Sequence, residues 1–465
     1  MIATFEPGSF RDRHARILRH EGRILRVLSP DGLRDWERLA ATRLFRRHVD
    51  AGTLVRTSRP DDEAQLLREL EGGAAAVLEH EPIPFISYPY EWTFGMLRDA
   101  ARLHLDLLRD ALDEGLILKD ATAYNVQFVG ARPLFIDIGS FTPLGPGEPW
   151  NGYRQFCQLF LYPLMLQAYK DVPFQPWLRG SLEGIDAREM RGLMGTRDRL
   201  RPGVLAHVVL QAAAQDRFET RARDVRQQLR RAGFSPALIK ANVTRLRRLV
   251  ERLEWTRHTS TWAGYAGENT YSSTDAEQKA AFVRRAVSAG PPALVWDLGA
   301  NAGTFSAICA EYARDVVAID ADALVVERMY QGLRGGTAHI LPLVGNVADP
   351  SPGLGWRGEE RLPLRRRGAP DLTLCLALIH HVVISANVPL PEFVDWLAGL
   401  GGDLVIEFVE KDDPMVRRLL LNKQDQYSDY DRALFEDRLA LHYDLAARES
   451  IQDGHRVLYH AVRRR

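Results

Sequence analysis

The sequence predicts an α/β protein in which a doubly wound parallel sheet follows an α+β region. From about residue 275, apolar segments of strand length alternate with amphipathic segments of helix length, as in a parallel sheet with helical crossovers. Before that point the strand patterns are short, and residues 181–256 are helical and rich in arginine. We therefore expect three parts: residues 1–180, a helical completion or linker at 181–256, and residues 257–465.

The first region contains strand and helix patterns of modest length. Arg23–Leu28 alternates apolar and basic residues, as a half-buried strand does. Apolar residues recur at helical spacing over Asp31–His48 and over Thr93–Gly115. Prolines interrupt Pro82–Tyr90, which favours an edge or connecting segment. Tyr153–Tyr169 is predicted to be a largely apolar helix.

The last region follows a polar and aromatic boundary segment, His258–Thr274. Its strands are predicted at Ala293–Leu298, Val316–Asp320, His339–Val344, Asp371–Leu376 and Asp403–Phe408, with two more near Leu441–Glu449 and Arg456–Val462. Its helices are predicted at Asp275–Ala289, Gly303–Arg314, Ala323–Leu333, Leu390–Leu400 and Pro414–Leu421. Strands and helices in this order predict a parallel sheet covered on both faces.

The composition excludes several classes of protein. Hydrophobic residues make up 46% of the 465 residues, and Lys plus Arg equal Asp plus Glu at 61 each. A net charge of zero provides no basic field for nucleic acid or an anionic membrane. The N-terminus lacks the apolar core of a signal peptide, and no stretch is as apolar as a membrane span. The three cysteines, Cys157, Cys309 and Cys375, lie far apart in the sequence. This spacing is typical of free thiols in a reducing compartment, so we expect a cytoplasmic protein.

The clearest motif is a glycine-rich turn with the sequence VWDLGANAGTF. Asp297 ends an apolar strand, and Gly299 and Gly303 permit positive φ and close approach of a ligand before a helix begins. Asp320 ends the next strand, where an acid can accept hydrogen bonds from both hydroxyls of a ribose. Asn346 follows the third strand and is placed to face an adenine. A strand–helix turn alone would explain the glycines, but all these residues in order favour a nucleoside cofactor.

The spacing of the turn bears on which cofactor it holds. A dinucleotide fingerprint reads G-x-G-x-x-G, whereas here Asn301 stands at the second glycine position. The pattern D-x-G-x-N-x-G resembles motif I of class I S-adenosylmethionine-dependent methyltransferases, which have a Rossmann-like sheet. The resemblance implies that S-adenosylmethionine is held by Asp297, Gly299, Asn301, Gly303, Asp320 and Asn346. A nicotinamide or flavin enzyme is the alternative, since such enzymes also place an acid after the second strand.

Polar residues at the ends of two later strands are the candidate catalytic groups. His380 and His381 follow the fourth strand, where side chains line the cleft of doubly wound folds. Glu407 lies among apolar residues in the fifth strand, and a buried carboxylate needs either a partner or a function. Methyl transfer to oxygen or nitrogen must also remove a proton, so all three residues are candidate bases.

A wider resemblance extends from about residue 85 to the C-terminus. The segments KDATAYNVQF, WNGYRQFCQLFLYPL, YAGENTYSSTDAEQKAAFV, ALIHHVVISANVPL and IEFVEKDDPMV are similar to a bacterial family of class I methyltransferases with nodulation-type (NoeA-like) members. This resemblance implies methyl transfer from S-adenosylmethionine. We expect the acceptor to be a hydroxyl or amine of a small molecule or carbohydrate, and we expect no nucleic acid or membrane partner.

A second motif, KDATAYNVQFVGARPLFIDIGSF over Lys119–Phe141, resembles the catalytic loop and metal-binding turn of protein kinases and aminoglycoside kinases. The resemblance implies a kinase-like α+β domain with Asp120 as its base and with Asn125 and Asp137 as ligands of Mg-ATP. No lysine precedes this stretch, however, and Gly8, Gly22, Gly32 and Gly52 stand alone, so the phosphate-binding side is missing. Arg26, in a predicted strand, could replace only the charge.

Several functions are open for this kinase-like region. It could phosphorylate the acceptor that the C-terminal region methylates, which would make the chain bifunctional. It could be a degenerate domain that binds nucleotide or substrate without transfer. It could also dock an acyl carrier, a glycan or a partner protein. Simple turn formation would explain Asp120 and Asn125 without any ligand, because these residue types form turns routinely.

Overall fold

The computed structural model describes residues 4–70, 73–215, 234–257, 259–260, 273–421 and 426–464. The strands of the N-terminal region are β1 Thr4–Phe5, β2 Ala15–His20, β3 Arg23–Leu28, β4 Thr57–Ser58, β5 Ala76–His80, β6 Leu116–Leu118, β7 Val126–Val129, β8 Arg132–Phe135 and β9 Phe141–Pro143. The helices before residue 257 are α1 Pro30–Ala40, α2 Arg43–Asp50, α3 Glu63–Glu69, α4 Phe94–Asp113, α5 Tyr153–Phe156, α6 Tyr162–Lys170, α7 Gln175–Gly180, α8 Ala187–Leu193 and α9 Pro236–Glu251.

The strands of the C-terminal region are β10 Leu294–Leu298, β11 Asp315–Asp320, β12 Ile340–Val344, β13 Leu372–Cys375, β14 Asp403–Val409, β15 Tyr443–Ile451 and β16 Arg456–Arg463. Its helices are α10 Ser273–Ser288, α11 Thr304–Ala310, α12 Ala323–Leu333, α13 Leu390–Leu400, α14 Pro414–Leu420 and α15 Arg432–Ala440. All predicted elements of this region are present, with ends shifted by a few residues. Most of the boundary segment predicted at His258–Thr274 lies outside the described residues.

The N-terminal region opens with a five-stranded antiparallel sheet of order β1-β2-β3-β5-β4. The strand predicted at Arg23–Leu28 is confirmed as β3, in the middle of this sheet. The single helix predicted over Asp31–His48 is wrong in one respect, because two helices, α1 and α2, occupy it. The helix is interrupted at Thr42, whose side chain accepts a hydrogen bond from the amide of Phe45 and so caps α2.

A mainly helical part follows the sheet. The predicted helix Thr93–Gly115 is confirmed as α4, which Thr93 caps and which is buried along most of its length. Pro82–Tyr90 forms no strand and ends in a helical turn, as a connecting segment does. The predicted helix Tyr153–Tyr169 is present as α5 and α6, joined by a wider helical turn, because Pro163 has no amide hydrogen to donate.

The C-terminal region is a seven-stranded sheet of order β12-β11-β10-β13-β14-β16-β15. The first five strands in this order are parallel, and the β15–β16 hairpin joins β14 in antiparallel fashion. This confirms the doubly wound parallel sheet. The reversed last strands differ from the six parallel strands of the dinucleotide-binding fold.

The two regions share one continuous apolar core. Phe85 packs edge-on against Trp296 of β10, with ring centroids 5.6 Å apart. Helix α12 lies against α4, where the Tyr330 hydroxyl donates to Asp99 at 2.8 Å. A Cβ on Gly95 of α4 would come within 2.9 Å of the Tyr330 ring, so only glycine permits this approach. The proposed part boundaries near residues 180 and 257 stay predictions.

Candidate functional site

The glycine-rich turn lies at the carboxyl end of β10, the middle one of the five parallel strands in the large sheet. β10 pairs in parallel with β11 on one side and β13 on the other, so the turn stands at the topological switch point. Gly299 and Gly303 have φ angles of 76° and 81°, which favour glycine. A Cβ on Gly303 would lie 3.0 Å from Sδ of Met329, and one on Gly299 would lie 3.2 Å from Cδ1 of Leu378. Both predicted glycine positions therefore have a physical reason.

All five backbone amides of residues 299–303 are hydrogen-bonded within the protein. The first two donate to the carbonyl oxygen of Ile319 at 2.8 and 3.0 Å, and the last donates to that of Ala300 at 2.9 Å. The third donates to Oδ2 of Asp320 at 2.9 Å, and the fourth donates to Oδ1 of Asn301 at 2.7 Å. The turn is thus fixed by its own bonds and presents none of these amides to a ligand.

Asp320 joins the turn to the end of β11. Its Oδ2 accepts the Asn301 amide, and its Oδ1 accepts the Asp322 amide at 2.9 Å. Burial raises the pKa of Asp320, and the two amide hydrogen bonds oppose that rise. Each carboxylate oxygen has a second lone pair, so Asp320 retains capacity to accept two further donors.

Asp297 and Asn346 stand on either side of Asp320. Asp297 is buried and accepts a hydrogen bond from the hydroxyl of Ser306 at 2.6 Å. Burial raises its pKa to about 6, with the nearby charge of Asp320 adding to the rise and the Ser306 bond opposing it. Asn346 is exposed after β12 and accepts the Ala348 amide at 2.9 Å. Sequence reasoning missed Ser306, which lies one turn into the helix that follows the motif.

The two predicted histidines lie together in a helical turn after β13. Their ring centroids are 4.1 Å apart. His380 has no exposed surface, and neither of its ring nitrogens has a hydrogen-bond partner among the described residues. Burial lowers the pKa of His381 to about 4 and that of His380 further, and the charge of Arg456 contributes to both. Both imidazoles are therefore neutral near pH 7, the form that can accept a proton.

Glu407 lies at the centre of a buried network of charged side chains. It has no exposed surface, and its carboxylate pairs with Nζ of Lys279 at 2.5 Å and with Arg456 at 3.3 Å. Arg456 also pairs with Asp413 at 2.8 Å, so the pairs seen among the described residues join two cations and two anions. This partnered environment favours a structural role for Glu407 over that of the base. Lys279 and Arg456 escaped sequence reasoning, because they lie far from Glu407 along the chain.

Two residues of the kinase-like motif, Asp120 and Asp137, lie close together, and the carbonyl oxygen of Asn125 accepts the amide of Ile136 at 2.9 Å. Asp120, Asn125 and Asp137 lie on turns flanking the β7–β8 hairpin, beside the five-stranded sheet. Burial raises the pKa of Asp120, and the nearby charge of Asp137 adds to that rise. The sheet contributes Arg26, whose Nη1 donates to Oδ1 of Asp137 at 2.9 Å. The predicted replacement cation is thus present, and its partner is the predicted metal ligand itself.

Each guanidinium nitrogen of Arg26 has a partner in the protein. Its Nε donates to Nε2 of His80 at 3.0 Å, and burial and the arginine charge lower the pKa of His80 to about 3. Its Nη2 approaches the carbonyl oxygen of Ile136 at 3.5 Å. A Cβ on Gly139 would lie 3.1 Å from Nη1 of Arg26, so the glycine makes room for the pair with Asp137. These contacts leave the guanidinium poorly placed to bind a phosphate.

The described ranges contain neither a metal-binding cluster nor a helix that could span a membrane. These residues contain no group of three or more His, Cys, Asp or Glu side chains arranged to hold a metal ion. Their helices are all too short or too polar to cross a bilayer.

Comparison with known proteins places the chain in a family. No protein-family model matches it. The nodulation protein NoeA of Rhizobium meliloti (strain 1021) is 36% identical over 454 residues, which cover 97% of this chain and 94% of NoeA. The chain belongs to the NoeA family. Because the match covers both regions, this relative shares the N-terminal region as well as the large sheet.

Two solved structures resemble less than half of this NoeA-family chain. The N-methyltransferase NodS from Bradyrhizobium japonicum WM9, in complex with S-adenosyl-L-homocysteine, is 14% identical with a TM-score of 0.32, over 44% of this chain and 93% of NodS. The magnesium protoporphyrin IX methyltransferase ChlM from Synechocystis PCC 6803 is 18% identical with the same score, over 44% of this chain and 93% of ChlM. These similarities are too weak to transfer a function.

Proposed function

We propose that this protein is a methyltransferase that uses S-adenosylmethionine and acts on a hydroxyl or amine of a small molecule or carbohydrate. The internal bonding of the turn amides carries the proposal. A dinucleotide's pyrophosphate needs free amides and a close backbone approach at the second glycine position. Here the amides of residues 299–303 are engaged, and Asn301 stands at that position. The turn therefore favours a cofactor without a pyrophosphate over NAD or a flavin dinucleotide.

The residues around the turn fit S-adenosylmethionine. Asp320 would accept the two ribose hydroxyls, because each of its oxygens has one amide donor and a lone pair to spare. Gly299 and Gly303 permit close approach, and Asp297 and Asn346 would hold the remaining polar groups. When bound, the cofactor supplies an electrophilic methyl group, so that in-line placement of the acceptor provides much of the rate.

His381 is the proposed base. It is only partly buried, stands at a strand end of the switch-point cleft, and is neutral near pH 7. His380 packs against it, at 4.1 Å between ring centroids, and would hold its orientation. Glu407 would fix the end of β14 through its two cationic partners. A neutral imidazole can take the proton that a hydroxyl or an ammonium acceptor must lose.

The family supports the acceptor class. NoeA is named as a nodulation protein, and the proposal extends that association to a carbohydrate or other small signalling molecule as the acceptor. A zero net charge agrees with a small-molecule acceptor rather than nucleic acid.

The N-terminal region is proposed to be a degenerate kinase-like domain that positions the acceptor. The antiparallel sheet, the order of Asp120, Asn125 and Asp137, and the contact of Arg26 with Asp137 support this proposal. The bifunctional alternative requires Asp137 to bind a metal ion beside Arg26, whose Nη1 lies 2.9 Å from Oδ1 and whose positive charge would repel that ion. Thermal unfolding with and without Mg-ATP separates the two, since only the bifunctional chain would be stabilised.

Calorimetry on the full chain tests the methyltransferase proposal. S-adenosylhomocysteine should bind with a dissociation constant in about the micromolar range, while NAD⁺ and FAD should give no binding heat. Binding of NAD⁺ or FAD, or a folded protein that ignores S-adenosylhomocysteine, would overturn the proposal. Transfer of labelled methyl from S-adenosylmethionine to oligosaccharides with free or acetylated amines would then distinguish an amine acceptor from a hydroxyl.

A further inference from the structure

A long connection between β12 and β13 reaches from the large sheet onto the N-terminal region. We call residues 349–367 the strap. The strap begins three residues after Asn346, at the proposed cofactor edge, where Asp349 makes a bidentate pair with Arg179 at 2.8 and 2.9 Å. Its far end is fixed by Arg367, which is buried and makes a bidentate pair with Glu91 at 2.5 and 2.6 Å.

The middle of the strap touches both walls of the kinase-like cleft. On the sheet side, the Glu360 carboxylate accepts a hydrogen bond from Nε of Arg11 at 2.7 Å. A Cβ on Gly8 would lie 2.8 Å from the carbonyl oxygen of Glu360. On the helical side, the guanidinium of Arg361 lies 4.0 Å above the ring of Tyr124. Two adjacent strap residues therefore bridge the two walls.

The wall contacts adjoin the motif residues directly. Tyr124 and Asn125 are neighbours in one helical turn. The loop of residues 6–14, which Glu360 holds, also carries Asp12, 4.0 Å from Nζ of Lys119. A change in the strap would therefore move groups on both sides of Asp120 and Asp137.

The seam under the strap is polar and imperfectly paired. Among the described residues, the buried hydroxyl of Tyr90 and the buried amide nitrogen of Asn125 have no hydrogen-bond partner. Native cores rarely leave such groups unpaired, whereas a seam that opens or admits water does so readily. The strap thus has firm ends and a middle that can shift.

We infer that the strap couples the cofactor turn to the kinase-like cleft, so that cofactor binding at Asn346 sets the opening of the cleft. This inference rests on the proposed function, because it needs a cofactor at Asn346. Coupling of two sites is reciprocal, so a change at the strap's middle must also change cofactor affinity.

Hydrogen exchange of the full chain, with S-adenosylhomocysteine as the probe, tests the coupling. In the wild type, the ligand should slow exchange at the turn of residues 297–303 and also, by about twofold or more, at residues 6–14 and 119–139. In Arg361→Ala, the protection at 297–303 should persist while that at the two remote segments disappears. Arg365→Ala, an exposed strap residue, is the matched control and should behave as the wild type.

Calorimetry adds a second readout that needs only a folded variant. Arg361→Ala and Glu360→Gln should each change the affinity for S-adenosylhomocysteine by about fivefold, and Arg365→Ala by less than about twofold. Protection at 297–303 without any at the remote segments of the wild type would overturn the coupling and leave the proposed function standing. Absence of protection at 297–303 itself would overturn the proposed function, and the coupling with it.

Discussion

Aspartates in the two candidate sites are held by different kinds of donor. Asp320, in the large sheet, is held by two backbone amides, whereas Asp137, in the N-terminal cleft, is held by the guanidinium of Arg26. Amides carry no formal charge, so Asp320 keeps both its charge and spare lone pairs for a ligand. Arg26 instead balances the charge of Asp137, which weakens the attraction of that carboxylate for a metal ion. A motif residue is therefore available to a ligand only when its local partners leave it so.

The arginines show a second contrast. Arg456 has no exposed surface and lies between Glu407 and Asp413, whereas Arg26 lies at a cleft whose Asp137 is 22% exposed. Removing the cationic partner of a carboxylate costs more stability where water cannot reach that carboxylate. Variants at the two arginines and at the aspartates should therefore differ in the size of their effects, which are given below from the largest to the smallest.

Removal of Arg456 should have the largest effect. Arg456→Met leaves Asp413 without this cation and Glu407 with Lys279, in surroundings that exclude water. We expect the free energy of unfolding to fall by about 3–5 kcal/mol, measured by urea denaturation. Arg464→Met, which removes an exposed partner of Asp444, is the control and should change little. A loss below about 1 kcal/mol for Arg456→Met would show that the network is not a buried ion-pair system.

Asp320→Ala should weaken binding of S-adenosylhomocysteine by about 100-fold or more. Two hydrogen bonds to a charged acceptor are lost, together worth about 3 kcal/mol. Calorimetry on the full chain measures the change. Asp137→Ala, at the other site, is the matched comparison and should change the affinity by no more than about fivefold. Equal losses in the two variants would remove the contrast between the two sites.

Local patterns gave the fold of the large sheet, because its strands and helices alternate as apolar and amphipathic segments. The same patterns could not place the break at Thr42, where one side-chain hydrogen bond caps the start of a second helix within a continuous apolar spacing. They also could not give the strand order, with its antiparallel β15–β16 hairpin at one edge. Strand order depends on contacts between segments far apart in the chain.

The cofactor turn could be predicted because its glycines, acids and helix start are close in sequence. The partners of Glu407 could not, since Lys279 precedes it by 128 residues and Arg456 follows it by 49. Arg26 is an intermediate case. Its strand suggested a replacement cation, but its direct contact with Asp137, 111 residues away, required the structure.

Asp297 should make stability depend on pH. Its pKa is raised from 3.8 to about 6, mainly by burial, so the native state binds the proton more tightly than the unfolded chain. Its contribution to the free energy of unfolding should therefore fall by about 2–3 kcal/mol as the pH rises from about 4 to about 6. Urea denaturation across this range should show that fall in the wild type relative to Asp297→Asn. Parallel curves for the two proteins would contradict the prediction.

Arg26→Met should have a smaller effect on stability, of about 1–2 kcal/mol, because Asp137 retains access to water. Urea denaturation measures it, with Arg56→Met, on an exposed pair with Glu81, as the control. The variant also distinguishes a degenerate N-terminal domain from one that binds Mg-ATP. Because Arg26 holds Asp137, Mg-ATP should leave the melting temperature of the wild type unchanged. If Mg-ATP stabilises only Arg26→Met, the arginine blocks a metal site in the wild type. If Mg-ATP stabilises the wild type as well, the bifunctional alternative is supported instead.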